Sequence, residues 1–191
     1  SVGEITIFFH FCENKINISK FIAMKPQVSI LMGSTSDMPV MEKAAKLLDK
    51  MQIPFEILAL SAHRTPEAVE NFAKNAKANG IKVIIAAAGM AAHLPGVIAS
   101  MTTVPVIGVP ISASLQGIDA LLAIVQMPSG IPVATVGINA AENAGVLAAQ
   151  FIAMADERVA KELANYKKAL KNKIEKANAD LRDIHFDYKT N

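Results

Sequence analysis

Five short apolar runs alternate with stretches of helical periodicity along most of the chain, from residue 28 onward. Repeated units of this kind predict an α/β protein, in which a parallel sheet is covered by helices on both faces. The reason is that parallel strands need crossover connections, and these pack back onto the sheet. The predicted strands span residues 28–32, 54–60, 82–88, 104–109 and 133–136.

The turns that follow these runs are the places to look for a site. In open parallel sheets, ligands bind in the crevice outside the carboxyl ends of the strands. Several of these turns contain glycine, serine or histidine. The candidate loops are residues 33–37, 61–65, 89–93, 110–117 and 137–141.

The chain has 191 residues, which suits one domain with short extensions at its ends. We predict a folded domain over residues 24–171, an N-terminal extension over 1–23 that lies outside the fold, and a helical tail over 172–191. Residues 5–12 are apolar, but Glu4 precedes them and no convincing cleavage site follows. A secretory signal is therefore not predicted.

Charge and composition exclude several classes of protein. The formal net charge of +2 gives no basic face of the kind that nucleic-acid binding needs. No apolar stretch approaches the 18 or so residues expected of a membrane span. Cys12 is the single cysteine, so neither an internal disulfide nor a cysteine-based zinc site can form. A reducing, cytoplasmic location is expected.

The first candidate loop, residues 33–37, has the sequence Gly-Ser-Thr-Ser-Asp and joins a strand to a helix. Hydroxyls and backbone N–H groups at a helix N-terminus suit phosphate or another anion. Asp37, which only accepts hydrogen bonds when ionised, suits the hydroxyls of a sugar better. The alternative is that Ser36 or Asp37 only caps the helix. The glycine spacing fits neither the dinucleotide-binding fingerprint nor a Walker loop.

The second candidate loop carries His63 and Arg64 at a strand-to-helix junction. The planar fork of Arg64 suits bidentate binding of phosphate or carboxylate. The His63 imidazole belongs to the one side-chain class that readily exchanges protons near neutral pH. Thr65 and Pro66 fit the cap and first turn of the next helix. The alternative is a surface His-Arg pair with no role.

The third candidate loop, residues 89–96, is made of small residues around His93. A backbone this bare can approach a planar ligand closely. His93, at the head of a short helix, can contact a bound carboxylate, or it can simply cap the helix. With no cysteine partner and two plausible site histidines, a catalytic metal is not expected.

From residue 140 to about 181 the chain is predicted to be helical, first alanine-rich and then lysine-rich. The apolar part is too long for a surface helix. We therefore predict that this long C-terminal helix packs on other subunits of an oligomer larger than a dimer.

Four motifs, in order at the ends of successive strands, resemble the PurE family, in particular its class I N5-carboxyaminoimidazole ribonucleotide mutases. They are Gly-Ser-Thr-Ser-Asp (33–37), Ser-Ala-His-Arg-Thr-Pro (61–66), Ala-Ala-His-Leu-Pro-Gly (91–96) and Val-Gln-Met-Pro-Ser-Gly-Ile-Pro (125–132). The resemblance covers roughly residues 28–171. It implies a flavodoxin-like three-layer αβα sandwich, a cytoplasmic homo-octamer and a ribonucleotide substrate from purine biosynthesis. It implies no cofactor, no metal, and neither a nucleic-acid nor a membrane partner.

The resemblance also implies roles for individual residues. His63 falls on the family's catalytic histidine, the general acid and base. Asp37 would hold the ribose hydroxyls, Arg64 and the serines the phosphate, and His93 would lie near the carboxylate. The implied substrate-binding residues are Ser34, Ser36, Asp37, Ser61, Arg64, Ala88, Gly89, Met90, His93 and Leu94.

The sequence departs from the common family pattern in two places. Met90 stands where many relatives have a second glycine, and the loop 111–117 is one residue shorter than the usual form. Both lie near the implied carboxylate pocket. The remaining alternatives are a class II carboxylase that uses CO2 and aminoimidazole ribonucleotide, a non-catalytic nucleotide-binding module, and a flavodoxin-like electron carrier. The last is disfavoured because two tyrosines and no tryptophan offer no obvious flavin-stacking residues.

Overall fold

The computed structural model describes residues 25–191. They form a parallel five-stranded sheet in the order β2-β1-β3-β4-β5, which confirms the predicted α/β fold. The strands are β1 Val28–Met32, β2 Phe55–Ala59, β3 Val83–Gly89, β4 Val106–Ile111 and β5 Ala134–Thr135. The helices are α1 Met38–Lys50, α2 Pro66–Asn75, α3 Leu94–Met101, α4 Ile118–Val125, α5 Ala141–Ala153 and α6 Glu157–Arg182. The extension predicted over residues 1–23 lies outside the described residues.

The three central strands are apolar in nearly every position because helices cover both of their faces. Successive residues of β3 point to opposite faces: Ile85 packs in the core with α1, α5 and α6, and Ile84 in the core with α2, α3 and α4. Ser29 is the exception in β1, and its buried hydroxyl donates a 2.6 Å hydrogen bond to Glu56 Oε1 on β2. The chain is therefore a three-layer αβα sandwich.

Helix α5 packs against α1 of its own chain, and this explains its small residues. A Cβ at Gly145 would lie 2.9 Å from Leu47 Cδ2 and 3.3 Å from the carbonyl oxygen of Ala44. Ala144 and Ala148 are fully buried beside it. These buried positions of α5 are accounted for by packing on α1. Packing of the rest of α5, and of α6, on other subunits stays a prediction.

The helix predicted to run without a break from residue 140 is two helices. Met154 ends α5, and the Asp156 side chain accepts hydrogen bonds from the backbone N–H groups of Arg158 and Val159 at 3.0 and 3.2 Å. This is the arrangement of an N-cap, and it starts α6 in a new direction. Arg158 then donates to the carbonyl oxygens of Met51 (2.9 Å) and Gln52 (3.2 Å), which fixes α6 to the end of α1.

β4 begins and ends two residues later than predicted. Helix α4 starts at Ile118, after a 3₁₀ turn over Leu115–Gly117. In that turn Leu115, Gln116 and Gly117 all have positive φ, at +42°, +55° and +83°. Helical periodicity does not report such a kink, because the apolar positions continue through it.

No helix within residues 25–191 is both long enough and apolar enough to cross a membrane.

We expect Gly108→Ala to destabilise the fold by about 1–3 kcal/mol, the usual cost of overpacking a core. A Cβ at Gly108 would lie 2.3 Å from Ile124 Cγ2 and 2.9 Å from Val133 Cγ1, so both side chains would have to move. The measurement is the urea midpoint of unfolding at fixed protein concentration. Gly137→Ala is the matched control, because its nearest neighbour would be Ala140 Cβ at an ordinary 3.6 Å. Equal midpoints for the two variants would contradict the packing argument.

Candidate active site

One cavity of about 480 Å³ lies at the carboxyl ends of β1, β2 and β3. β1 and β3 are neighbours in the sheet, but the helices that follow them, α1 and α3, pack on opposite faces. Ligands bind at such switch points in open parallel sheets. All eleven residues implied by the family resemblance line this cavity: Ser34, Ser36, Asp37, Ser61, His63, Arg64, Ala88, Gly89, Met90, His93 and Leu94. The structure therefore brings the predicted residues together, and their individual roles stay predictions.

Four further residues line the cavity that the sequence reasoning did not single out: Gly33, Ala62, Ala91 and Ala113. All four lie within loops that were already candidates by position. Ala113 comes from the loop after β4, which approaches closely because Gly89 has no side chain. A Cβ at Gly89 would lie 2.9 Å from Ala113 Cβ and 3.3 Å from the carbonyl oxygen of Ile111.

The loop after β1 arranges hydroxyls and a carboxylate around a short 3₁₀ turn. The Ser34 hydroxyl accepts from the backbone N–H of Ser36 at 3.3 Å and lies 2.8 Å from the Ser36 hydroxyl, which donates to it. The side chain of Asp37 makes no cap hydrogen bond to helix α1. The capping alternative named Ser36 and Asp37, and neither side chain caps α1. Ser34 caps the 3₁₀ turn instead.

The Asp37 carboxyl is partly removed from water at the edge of the cavity. This desolvation raises its pKa above the ordinary value, and hydrogen bonds from the Ser36 side chain and the Ser34 backbone N–H offset only part of the rise. A partly desolvated carboxylate gains stability when it accepts hydrogen bonds from a ligand.

Arg64 is held across two loops. Its Nη2 donates to the carbonyl oxygen of Gly33 at 2.6 Å, and its Nε donates to the Ser61 hydroxyl at 3.3 Å. Ser61 Oγ also accepts from the backbone N–H of Arg64 at 3.2 Å. These contacts fix the guanidinium beside the hydroxyls of the first loop, where it can meet an anion.

Contrary to the prediction, the Thr65 hydroxyl makes no cap hydrogen bond to α2. It accepts from the backbone N–H of Ser61 at 3.0 Å and donates to the carbonyl oxygen of the same residue at 3.1 Å. The hydroxyl therefore closes the turn that presents His63 and Arg64. Pro66 occupies the first turn of α2, as predicted.

His63 and His93 face each other across the cavity. His63 Nε2 lies 2.7 Å from His93 Nδ1, and the ring centroids are 4.9 Å apart in an edge-to-face arrangement. One nitrogen must donate and the other accept, so this hydrogen bond exists only while at least one of the imidazoles is neutral. The His93 side chain makes no cap bond to α3, which leaves the simple capping alternative without support.

A family model described as AIR carboxylase matches residues 27–173 of this chain. The chain belongs to the AIR carboxylase (PurE) family. It is 52% identical over 164 residues to an N5-carboxyaminoimidazole ribonucleotide mutase of Pyrococcus horikoshii, across 85% of this chain and 93% of that protein. It is 51% identical over 157 residues to a protein of the same name from Methanocaldococcus jannaschii, across 82% and 98%. It also resembles the crystal structure of Treponema denticola PurE, with a TM-score of 0.75 and 34% identity over 82% of this chain and 98% of that one.

Met90 and the loop 111–117, which the family resemblance singled out, each have a distinct local geometry in this PurE family chain. Met90 has φ +54°, a left-handed conformation that glycine adopts more easily, and its side chain is 59% exposed at the cavity. The short loop is anchored by Asn139, whose side-chain oxygen accepts from the backbone N–H of Ser112 at 3.0 Å. The Ser114 hydroxyl donates to Asp119, which lowers the pKa of that carboxyl.

In the described part of the chain, no group of three or more histidine, cysteine, aspartate or glutamate side chains could hold a metal ion.

Proposed function

We propose that this protein is an N5-carboxyaminoimidazole ribonucleotide mutase of purine biosynthesis. It moves the carboxylate of its substrate from the exocyclic amine to carbon 4 of the imidazole ring. The observation that carries the proposal is a single cavity in which two hydrogen-bonded histidines lie beside an arginine, three serine hydroxyls and a carboxylate.

The polar end of the cavity fits the 5′-phosphate and the ribose. Arg64 offers its fork to the phosphate, together with the hydroxyls of Ser34, Ser36 and Ser61. Asp37 accepts hydrogen bonds from the ribose hydroxyls. The aminoimidazole ring then extends toward His63, which lines the same cavity as Arg64.

The apolar end of the cavity is suited to the carboxylate transfer itself. Its wall is made of Ala88, Gly89, Met90, Ala91 and Leu94. Side chains without nucleophiles cannot trap CO2, and a wall that excludes water keeps the reactive fragments together. Holding CO2 beside the ring replaces a bimolecular encounter with an intramolecular one.

We assign both proton transfers to His63. In the first step the carbamate C–N bond breaks, its electron pair stays on nitrogen, and protonated His63 supplies the proton, which leaves aminoimidazole ribonucleotide and CO2. In the second step carbon 4 attacks CO2, and neutral His63 removes the proton from carbon 4. One proton is given and one is taken back, so His63 returns to its starting state.

The direct test is to incubate the purified protein with N5-carboxyaminoimidazole ribonucleotide, without ATP or bicarbonate, and to follow the 4-carboxy product by absorbance. Conversion is expected. Product formed only from aminoimidazole ribonucleotide with high bicarbonate would instead identify a class II carboxylase. Nucleotide binding without turnover in either assay would identify a binding module.

The assignment of Asp37 to the ribose predicts how KM depends on pH. Below its pKa the Asp37 carboxyl is protonated and loses acceptor capacity, so KM should rise as the pH falls. Because desolvation raises this pKa, the rise should begin at a higher pH than for an ordinary aspartate. Asp37→Asn should raise KM about 10- to 150-fold at neutral pH, from the 1.5–3 kcal/mol of a charge-assisted hydrogen bond.

The control is the pH profile of the variant. Asp37→Asn should lose the acid-side rise in KM, while Asp180→Asn, an exposed change on α6, should keep both the profile and the wild-type KM. If KM of Asp37→Asn still rose at low pH as in the wild type, the rise would have to come from a group other than Asp37.

We also propose that the protein works as a cytoplasmic homo-octamer, with residues 24–171 as the catalytic domain and residues 172–191 as a helical tail. The family supports an oligomer. Light scattering at micromolar concentration tests the number of subunits, and a monomer would refute the assembly.

A further inference from the structure

Met90 combines two unfavourable features at the cavity. Its backbone is left-handed, with φ +54°, and its large apolar side chain is 59% exposed. Among the described residues that line the cavity, no other has a positive φ. Leu94, the other large apolar side chain in the lining, is only 3% exposed. Met90 is therefore the bulky apolar group at the opening of the cavity.

The left-handed backbone at Met90 lacks the local explanations that two other residues have. Gln52 has φ +54° where helix α1 ends, a common position for this conformation. Asn139 has φ +56°, which asparagine tolerates better than most residues. At residue 90, after β3, glycine would adopt the same conformation without strain. Residues held in such a conformation cluster at functional sites, so the outlier points to a use for the methionine side chain.

The side chain of Met90 has the reach to cover the opening. It is unbranched and has three rotatable bonds, so it adapts to irregular apolar gaps. Its neighbours in the lining, Gly89 and Ala91, are too small to close the opening themselves. His93 follows three residues later and lies 2.7 Å from His63. Met90 thus belongs to the loop that carries one of the two histidines.

We infer that Met90 folds over the bound substrate and retains CO2 beside the imidazole ring. The inference rests on the proposed function and goes beyond it, because it makes one side chain decide between recapture and escape of CO2. The side chains of the apolar wall offer CO2 no hydrogen bond, so they can retain it only by closing the space around it. Of these side chains, Met90 is the one that is both large and exposed at the opening.

Escape of CO2 has a defined chemical outcome. Once the carbamate C–N bond has broken, the amine nitrogen holds the proton from His63, and CO2 lies beside aminoimidazole ribonucleotide. If CO2 leaves before carbon 4 attacks it, the nucleotide can dissociate, and His63 then regains a proton from water. Alternatively, carbon 4 attacks a CO2 molecule from solution, and His63 removes the proton from carbon 4. The carboxyl carbon of the product then comes from solution and not from the substrate.

Isotopic labelling measures this choice directly. The protein is incubated with unlabelled N5-carboxyaminoimidazole ribonucleotide in buffer whose bicarbonate carries a heavy carbon isotope. Mass spectrometry at early times gives the labelled fraction of the 4-carboxy product and the amount of free aminoimidazole ribonucleotide, after subtraction of the decay without protein. The wild type should incorporate little label. Met90→Gly should raise both quantities several-fold.

Further substitutions separate closure from other properties of the side chain. Met90→Leu keeps an apolar side chain of similar volume, and its labelled fraction should stay low. Met90→Gln keeps the length but is polar and hydrated, so it should lose CO2 as Met90→Gly does. The matched control is Met154→Gly, because Met154 is 85% exposed and lies outside the cavity. Its labelled fraction should equal that of the wild type.

A purely structural role for Met90 predicts a different pattern. Because glycine relieves the left-handed backbone, Met90→Gly should keep the urea midpoint of unfolding and the mass in light scattering of the wild type. Loss of stability or assembly with a labelled fraction that stays low would show that the side chain supports the fold or a contact between subunits. That result would overturn the inference.

The outcomes also distinguish this inference from the proposed function. If the wild type forms no 4-carboxy product from N5-carboxyaminoimidazole ribonucleotide, the proposed function fails and the inference fails with it. If the wild type forms product and Met90→Gly incorporates no more label, the function stands and retention of CO2 by Met90 is wrong. Complete loss of turnover in a substrate-binding Met90→Gly protein would place the side chain in the chemical step itself and would also overturn the inference.

Discussion

His63→Asn should lower kcat by about 10²- to 10⁴-fold, the usual contribution of a positioned general acid and base. Asparagine keeps a hydrogen-bonding group of similar size but cannot exchange a proton at neutral pH. Both steps of the proposed transfer would then lack their proton donor and acceptor. The affinity for the substrate should change little, because the phosphate and ribose are held by other residues. The measurements are single-turnover rates and equilibrium binding of the nucleotide.

The matched control for this change is His185→Asn. His185 is exposed in the C-terminal tail and lies outside the cavity. It should turn over the substrate like the wild type. Near-normal turnover by a folded, substrate-binding His63→Asn protein would require another acid and base, and His93, 2.7 Å away, would be the group to examine.

The fold was predictable because its strongest signals are local. β3 reads as a strand covered on both faces, since nearly every residue in it is apolar, and the structure buries it as expected. His93 was predicted to lie at the head of a short helix, and α3 begins at the next residue, Leu94. The strand-end rule then placed the His63 and Arg64 loop at the site before any contact was known.

The errors concern packing and backbone conformation, which periodicity does not encode. The close packing of α5 on α1 of the same chain, which Gly145 allows, was not predicted. The break before α6 could have been found, because Asp156 is a good N-cap residue. The positive φ values of Leu115 and Gln116 had no such signal, since neither residue type favours that conformation. The hydrogen bond between His63 and His93 spans thirty residues and follows only from the parallel register of the sheet.

Arg64→Met should raise KM by about 10- to 150-fold with a smaller effect on kcat. A charge-assisted hydrogen bond contributes about 1.5–3 kcal/mol, and each 1.4 kcal/mol corresponds to a tenfold change in affinity. The bound phosphate lies away from the reacting carboxylate in the proposed orientation, so its loss weakens the ground state and the transition state alike. Arg64→Lys should recover only part of the affinity, because an ammonium group keeps the charge but lacks the planar fork.

Arg158→Met is the matched control for Arg64→Met. Like Arg64, Arg158 donates to backbone carbonyl oxygens, in its case those of Met51 and Gln52. It joins α6 to α1, however, and does not line the cavity. This variant should lower the midpoint of unfolding while its KM stays near the wild-type value. Arg64→Met should show the reverse pattern, because Arg64 is exposed at the cavity and its contacts are confined to two loops. If Arg64→Met instead lost stability and kept its KM, the guanidinium would serve to hold the loops together, and the phosphate would have to be assigned to the serine hydroxyls alone.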